Sequence, residues 1–249
     1  MRQSGSTILE NISLSKEFLD KQVELFCNER ALYAHPDPLQ VARRHKNGKI
    51  ALVCALFAYG NASQIVRFLE SLDFSLLQRE EDEIKTSIHS YYRFQKSLDV
   101  AQFFITLGRA GSLEEVFMEA YKKGGVVAGV DRLIEYLYSL NPYRSYGYNF
   151  LIGKPRSSSA MKRWHMYLRW MVRKDGIDLG LWKRVNRADL LIPLDTHTFS
   201  TARKLGLLKR KTPDLKAAIE LTNRLKEFDP EDPVRYDFAL YRLGQLNLA

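Results

Sequence analysis

The sequence contains only two cysteines, Cys27 and Cys54, and neither has a second cysteine or a histidine at the spacing of metal ligands. Two thiolates are too few for an iron–sulfur cluster of the four-cysteine type. Both cysteines lie within apolar helical patterns, so we expect them to be buried thiols. We expect neither a metal site nor a bound cofactor.

Long apolar runs are also absent, and no segment approaches the roughly 18 uninterrupted apolar residues that a membrane span requires. Residues 1–21 show no basic region followed by an apolar stretch and a small-residue cleavage site. We therefore expect a cytoplasmic protein with no membrane contact. Its 45% apolar residues are enough for one sizeable core or two small lobes.

Strand signals are scarce, because Val, Ile and Thr seldom alternate with polar residues, whereas Gly and Pro separate segments with helical periodicity. The sequence predicts an all-α fold of about ten helices, near 15–33, 38–58, 62–79, 82–107, 113–122, 128–139, 158–174, 196–206, 213–228 and 232–246. Capping residues or an early proline mark five helix starts. These signals are Asp37-Pro38, Asn61 with Gln64, Ser112 with Glu115, Thr212-Pro213 and Asp232-Pro233.

The positive charge is concentrated in one region. Residues 154–211 contain fifteen Lys or Arg against four Asp, a balance of +11, so the rest of the chain carries −2 of the net +9. Localised positive charge is typical of a surface that binds a polyanion such as DNA. The alternative is a solvated basic surface without a partner.

The predicted helix from Ser158 to Lys174 has apolar residues all round it, which is typical of an interior helix. Lys162, in its first turn, is the exception. Burial and the positive end of the helix dipole both disfavour an ammonium ion there, which favours an amine able to attack carbon. The alternative is a lysine that extends to solvent or pairs with one phosphate.

The segment just before this helix, GKPRSSS, combines cations, hydroxyls and the N–H groups of a helix start. Such groups predict a site for one DNA phosphate, formed by Lys154, Arg156, Ser157 and Ser158. An ordinary capped loop is the alternative. Farther along, LLIPLDTHTF leads an apolar extended stretch into Asp195, the predicted N-cap of the next helix. A capping carboxylate can also act on a nearby cation or proton, whereas we interpret His197 as structural.

These segments resemble the helix-hairpin-helix DNA glycosylases, in which a catalytic lysine precedes an aspartate at the start of a later helix. LDTHTF is similar to their aspartate motif. The long spacing from Lys162 to Asp195, and the lack of Gly-x-Gly in IGKPRSSSAMK, most resemble the archaeal 8-oxoguanine DNA glycosylase branch. A bacterial conserved-domain family without an assigned activity shares the resemblance, which covers about residues 150–246.

The resemblance implies a two-lobed helical DNA glycosylase fold with a divergent helix-hairpin-helix element, formed by 1–249 as one domain. A helical lobe would cover about 30–140, and the hairpin with the catalytic helix about 150–206. The C-terminal helices, 207–249, would pack with the N-terminal segment.

The segment YDFALYRLG resembles a part of the family that lines the pocket for the flipped base. Asp237 and Tyr241 stand at the positions of an aspartate and an aromatic residue there, four apart on one helix face. A ring could stack on the base and a carboxylate could bind its edge. Relatives carry tryptophan in place of the tyrosine. Met166 is a further candidate for this pocket, with core packing as its alternative.

The implied function is base-excision repair of double-stranded DNA by a monomer in the cytoplasm, associated with the nucleoid. Lys162 would attack C1′ of the sugar, Asp195 would stabilise the developing charge, and a Schiff base would permit β-elimination, so glycosylase and AP lyase activities would occur together without a metal. Oxidised purines such as 8-oxoguanine are the expected substrates. Two alternatives stay open: a monofunctional alkylpurine glycosylase using Asp195, and a non-catalytic basic helical DNA-binding protein.

Overall fold

The structure, a computed structural model, describes residues 15–245. The predictions for residues 1–14 and 246–249 lie outside this range. The thirteen α-helices within it are α1 Lys16–Phe26, α2 Glu29–Tyr33, α3 Pro38–His45, α4 Gly48–Leu56, α5 Ala62–Glu70, α6 Glu81–Ser87, α7 Ser97–Arg109, α8 Leu113–Leu140, α9 Tyr146–Ile152, α10 Lys162–Val172, α11 Thr196–Lys204, α12 Leu215–Lys226 and α13 Asp237–Gln245. Short 3₁₀ helices occupy Phe74–Gln78, Arg187–Asp189 and Pro233–Tyr236. The described residues contain no strand, so the predicted all-α class is confirmed.

Several predicted helices are divided in the structure. Asn28 ends the first one because its side chain accepts from the Ala31 N–H at 2.9 Å and starts α2. Asn47 divides the second in the same way, after Lys46 takes a left-handed φ of 47°. Asparagine competes with the helix for backbone hydrogen bonds and therefore favours a cap over an interior position. The two helices predicted at 113–122 and 128–139 are confirmed, because Gly125, with φ 72° and ψ −165°, interrupts the helical backbone of α8 between them.

The predicted helix starts are confirmed at three positions. Asp37, Asn61 and Ser112 each accept a hydrogen bond from a backbone N–H in the first turn of the following helix. The prediction at Thr212-Pro213 is wrong, because Asp214 caps α12 by accepting from the Ala217 N–H at 2.8 Å. Asp232 precedes a 3₁₀ helix and makes no side-chain cap.

The buried apolar side chains form two clusters. The larger contains most of the apolar residues of α3 to α10, including the fully buried Trp170 and Tyr148. The smaller contains residues of α11, α12 and α13 together with Leu19 of α1. Cys54 is buried and Cys27 is partly buried. Within the described residues no helix combines the length and apolar character that crossing a membrane requires.

Buried ion pairs fix α10 to its neighbours. Arg169 contacts Asp178 at 3.1 Å and Asp237 at 2.6 Å, while Arg173 contacts Asp178 at 2.5 Å and Asp232 at 2.8 Å. Both arginines are at most 6% exposed, so each needs its carboxylates to offset the cost of leaving water. The basic excess of 154–211 therefore overstates the surface charge, because part of it is neutralised inside the protein.

Helix α9 contacts its neighbours so closely that only glycine fits at position 147. A Cβ atom there would lie 2.5 Å from the Phe94 carbonyl oxygen and would overlap the Asp99 carboxylate. We expect Gly147→Ala to lower the free energy of unfolding by about 1–3 kcal/mol, as overpacking does, although alanine is the better helix former. Urea denaturation measures the change.

The matched control is Gly111→Ala, whose new methyl group would meet its nearest neighbour, the Tyr136 hydroxyl, at an ordinary 3.6 Å. We expect that variant to stay within about 0.5 kcal/mol of the parent protein. An undiminished stability of Gly147→Ala would show that the contact between α9 and the chain near Phe94 is looser than described.

Candidate functional site

A cleft of about 900 Å³ lies where α10, α11 and α13 meet the starts of α3 and α5. Seven of the nine residues predicted from the sequence line it. They are Lys154, Ser157, Lys162, Met166, Asp195, Asp237 and Tyr241. Their helices come from distant parts of the sequence, so the fold brings these side chains together.

Lys162 and Asp195 face each other in the cleft, with 3.3 Å between Lys162 Nζ and Asp195 Oδ2. Lys162 is the first residue of α10, which follows Met161 in a left-handed conformation with φ 45°. Asp195 caps α11 by accepting from the Thr198 N–H at 2.8 Å through its other oxygen, Oδ1. The cap holds the carboxylate in position, and one oxygen is directed at the amine.

The exposure of the pair differs from the expectation for Lys162. The Lys162 side chain is 33% exposed and that of Asp195 is 12% exposed. The prediction that Lys162 is buried is therefore wrong. The reason is its place at the open end of an otherwise buried helix, since α10 is buried without a break only from Trp164 onward.

The predicted phosphate site is assembled only in part. Lys154 and Ser157 line the cleft, but the Arg156 side chain pairs with Glu135 at 2.9 Å on α8. Ser158 does not line the cleft, and its carbonyl oxygen accepts from the Leu215 N–H at 2.9 Å. The serines do not cap a helix either, because α10 begins at Lys162 rather than at Ser158.

Asp237 and Tyr241 reach the cleft from α13. Asp237 is buried and accepts from Arg169 at 2.6 Å, yet burial outweighs this attraction and raises the pKa of the carboxyl to about 6. Burial, together with the carboxylates of Asp37 and Asp195, raises the pKa of Tyr241 to about 12, so its hydroxyl is protonated at neutral pH. The Tyr241 ring meets His197 edge-on at 5.8 Å, and His197 also lines the cleft.

Two further residues that line the cleft were not predicted from the sequence as site residues. Asp37 was predicted only as a helix cap, but it also lines the cleft. Burial raises its pKa, while the cap hydrogen bond from Leu39 and the positive charges of Arg169, Arg242 and Lys162 oppose the rise. Trp170 also lines the cleft, and its buried indole N–H has no partner among the described residues. No local sequence pattern distinguishes these two from ordinary capping and core residues.

A family model described as "Protein of unknown function (DUF2400)" matches residues 37–246. No curated protein and no solved structure matches the chain.

Proposed function

The chain belongs to this family, and from its cleft we propose that it is a base-excision-repair DNA glycosylase with AP lyase activity, acting on an oxidised purine such as 8-oxoguanine. The observation that carries the proposal is the lysine amine 3.3 Å from a rigidly capped carboxylate inside a cleft of about 900 Å³. A nucleophilic amine, a carboxylate beside it and room for a nucleotide are the elements that Schiff-base chemistry at a sugar carbon requires.

The chemistry uses both residues. The damaged nucleotide rotates out of the duplex into the cleft, and the unstacking cost of a few kcal/mol is offset by contacts in the cleft. Lys162 passes a proton to Asp195, and its neutral amine then attacks C1′. The bond from C1′ to the base breaks, and the base takes the electron pair together with the proton that Asp195 received. The nitrogen now bonded to C1′ gives a proton to Asp195, which passes it to O4′ as the bond from C1′ to O4′ breaks and a Schiff base forms. Asp195 then takes a 2′ proton, and the electron pair of that C–H bond expels the 3′ phosphate.

The remaining cleft residues hold the base and the backbone. The Tyr241 ring stacks on the extruded base, and Met166 packs beside it. The Asp237 carboxylate, held by Arg169, accepts hydrogen bonds from the edge of the base. Lys154 and Ser157 bind the phosphate next to the extruded nucleotide. The double-stranded DNA is held by a monomer associated with the nucleoid.

The finer fold assignment follows from the same proposal. We assign the divergent hairpin element to α9 and α10 with the connection between them, and the two lobes to the two apolar clusters. The support is the position of Lys162 at the start of the second of these helices.

The test is borohydride trapping with the unaltered protein. Duplexes containing 8-oxoguanine, an alkylpurine, uracil or an abasic site are incubated with the protein and sodium borohydride. We expect a covalent protein–DNA adduct and strand cleavage with the 8-oxoguanine duplex and with the abasic duplex. Failure to form an adduct with any of the four duplexes would contradict the proposal.

A monofunctional alkylpurine glycosylase is the second candidate, and the exposure of Lys162 favours it. A lysine whose side chain is one-third exposed and whose amine is paired with a carboxylate can hold a phosphate, while Asp195 activates water. Excision of the alkylpurine without an adduct would identify that activity. Salt-sensitive DNA binding without any excision would identify a non-catalytic DNA-binding protein.

A further inference from the structure

A cluster of aromatic and arginine side chains adjoins the cleft through Tyr59 and Arg163, and the proposed chemistry does not use it. We call it the aromatic rim; its members are Tyr59, Tyr92, Phe94, Tyr146, Phe150, Arg93 and Arg163. The centroids of neighbouring rings lie 4.8–6.4 Å apart, the range of direct aromatic contact.

Two rings of the rim are open to solvent. Tyr146 is 72% exposed and Phe94 is 43% exposed, and the two meet edge-on at 5.9 Å. The Phe94 ring also lies parallel to the Tyr59 ring, with 6.2 Å between their centroids. Adjacent exposed rings form an apolar patch of the kind that marks a binding site. Every nucleobase can stack on such a patch, because every base has a π face.

The rim is held in place by polar contacts beneath it. Phe94 lies in the turn between Tyr92 and Gln95, and the buried Gln95 side chain donates to the Gly147 carbonyl of α9 at 2.8 Å. Gln95 also accepts from the Tyr59 hydroxyl, and the Tyr92 hydroxyl donates to the Tyr59 carbonyl at 2.7 Å. A surface fixed in this way loses little conformational freedom when a ligand binds.

The arginines give the rim a positive charge. The Arg93 guanidinium lies 5.8 Å from the Tyr59 ring, and that of Arg163 lies 5.2 Å from Tyr59 and 5.1 Å from Phe150. Burial lowers the pKa of Arg163 to about 10, so it is cationic at neutral pH. Aromatic rings interleaved with arginine are typical of surfaces that bind unpaired nucleotides, where the cations attract the backbone and the rings stack on the bases.

The rim is continuous with the cleft. Arg163 follows Lys162 in the chain, and both Tyr59 and Arg163 line the cleft itself. Phe150 and Arg163 also line a second cavity of about 790 Å³, together with Lys154. The exposed rings of Phe94 and Tyr146 are therefore connected to the cleft by direct ring contacts through Tyr59.

We propose that the aromatic rim stacks on the base left without a pairing partner when the opposite nucleotide enters the cleft. The proposal rests on the proposed function for the extrusion of that nucleotide. The neighbouring bases of the duplex keep their partners, whereas this base has lost its own and gains most from a new stacking surface. Phe94 and Tyr146 supply the exposed rings.

The test compares two duplexes with a tetrahydrofuran abasic analogue at one position. One has cytosine opposite the analogue, and the other has a second analogue there. We expect the unaltered protein to bind the cytosine duplex roughly ten-fold more tightly. Tyr146→Ala and Phe94→Ala should each reduce this preference to about two-fold, and Tyr146→Phe should retain it because the ring is kept. Tyr33→Ala, at a 49% exposed tyrosine outside the rim, is the control and should retain the preference.

The proposal would be overturned if the two alanine variants preferred the cytosine duplex as strongly as the unaltered protein does. It would also be overturned if the unaltered protein bound the two duplexes equally. Borohydride trapping by the unaltered protein separates the two proposals. Trapping without a preference would overturn only the role of the rim. A preference that depends on Tyr146, without trapping, would overturn only the Schiff-base chemistry of Lys162. Failure to bind either duplex would overturn both.

Discussion

Replacing Lys162 with glutamine should reduce borohydride trapping to background and lower the rate of base excision by roughly 10³-fold or more. An amide nitrogen does not attack carbon, so no Schiff base forms with the sugar. The fold should be unaffected, because a partly exposed ion pair contributes only about 0–1 kcal/mol. Single-turnover excision on the 8-oxoguanine duplex, with trapping in parallel, measures the effect.

Lys154→Gln is the matched control, because it removes a second amine from the wall of the same cleft. We expect that variant to form the adduct while binding DNA with a smaller dependence on salt concentration, as loss of one phosphate contact predicts. Equal trapping by Lys162→Gln and the unaltered protein would place the nucleophile elsewhere.

Asp195→Asn should lower the rate of excision by about 10²–10⁴-fold, the range lost with an acid–base group. Asparagine caps a helix about as well as aspartate, so α11 keeps its start and the free energy of unfolding should change by no more than about 0.5 kcal/mol. The substitution therefore removes the negative charge of Oδ2 and keeps the cap made by Oδ1, so it measures the effect of the charge alone. Asp195→Ala removes both the charge and the cap, and it should also lower the free energy of unfolding by about 1 kcal/mol.

Asp214 offers a control for this experiment. It caps α12 with nearly the same backbone conformation, φ −110°, and the same hydrogen bond from the third residue of its helix, but its partner is Arg210 at 2.7 Å. We expect Asp214→Asn to excise at the rate of the unaltered protein. If the Asp195→Asn variant excised the base at a rate within a few-fold of the unaltered protein, Asp195 would have no role beyond capping α11.

The parts of the fold that local physics determines were predictable. The apolar residues all round the segment that forms α10 identify an interior helix, and nine consecutive buried residues, 164–172, bear this out. The caps at Asp37 and Asp195 follow from their places before a helical pattern. The breaks at Asn28 and Asn47 were missed, because a single side-chain cap outweighed an otherwise continuous apolar pattern.

The site depends on contacts that local patterns do not encode. The meeting of Lys162 with Asp195 requires the path of the chain between α10 and α11, and only the family resemblance suggested it. Arg156 does not line the cleft and pairs instead with Glu135 of α8, a contact that no local pattern indicates. Asp37 lines the cleft although it lies far from the other site residues in the sequence, and its capping pattern alone does not indicate a place in the site.

The central claim is that the Lys162 amine forms the bond to the sugar. Its most direct measurement is mass spectrometry of the borohydride-reduced adduct after nuclease and protease digestion. The account predicts a single peptide whose added mass, a reduced sugar remnant, lies on Lys162. A remnant on Lys154 or on any other amine would contradict it.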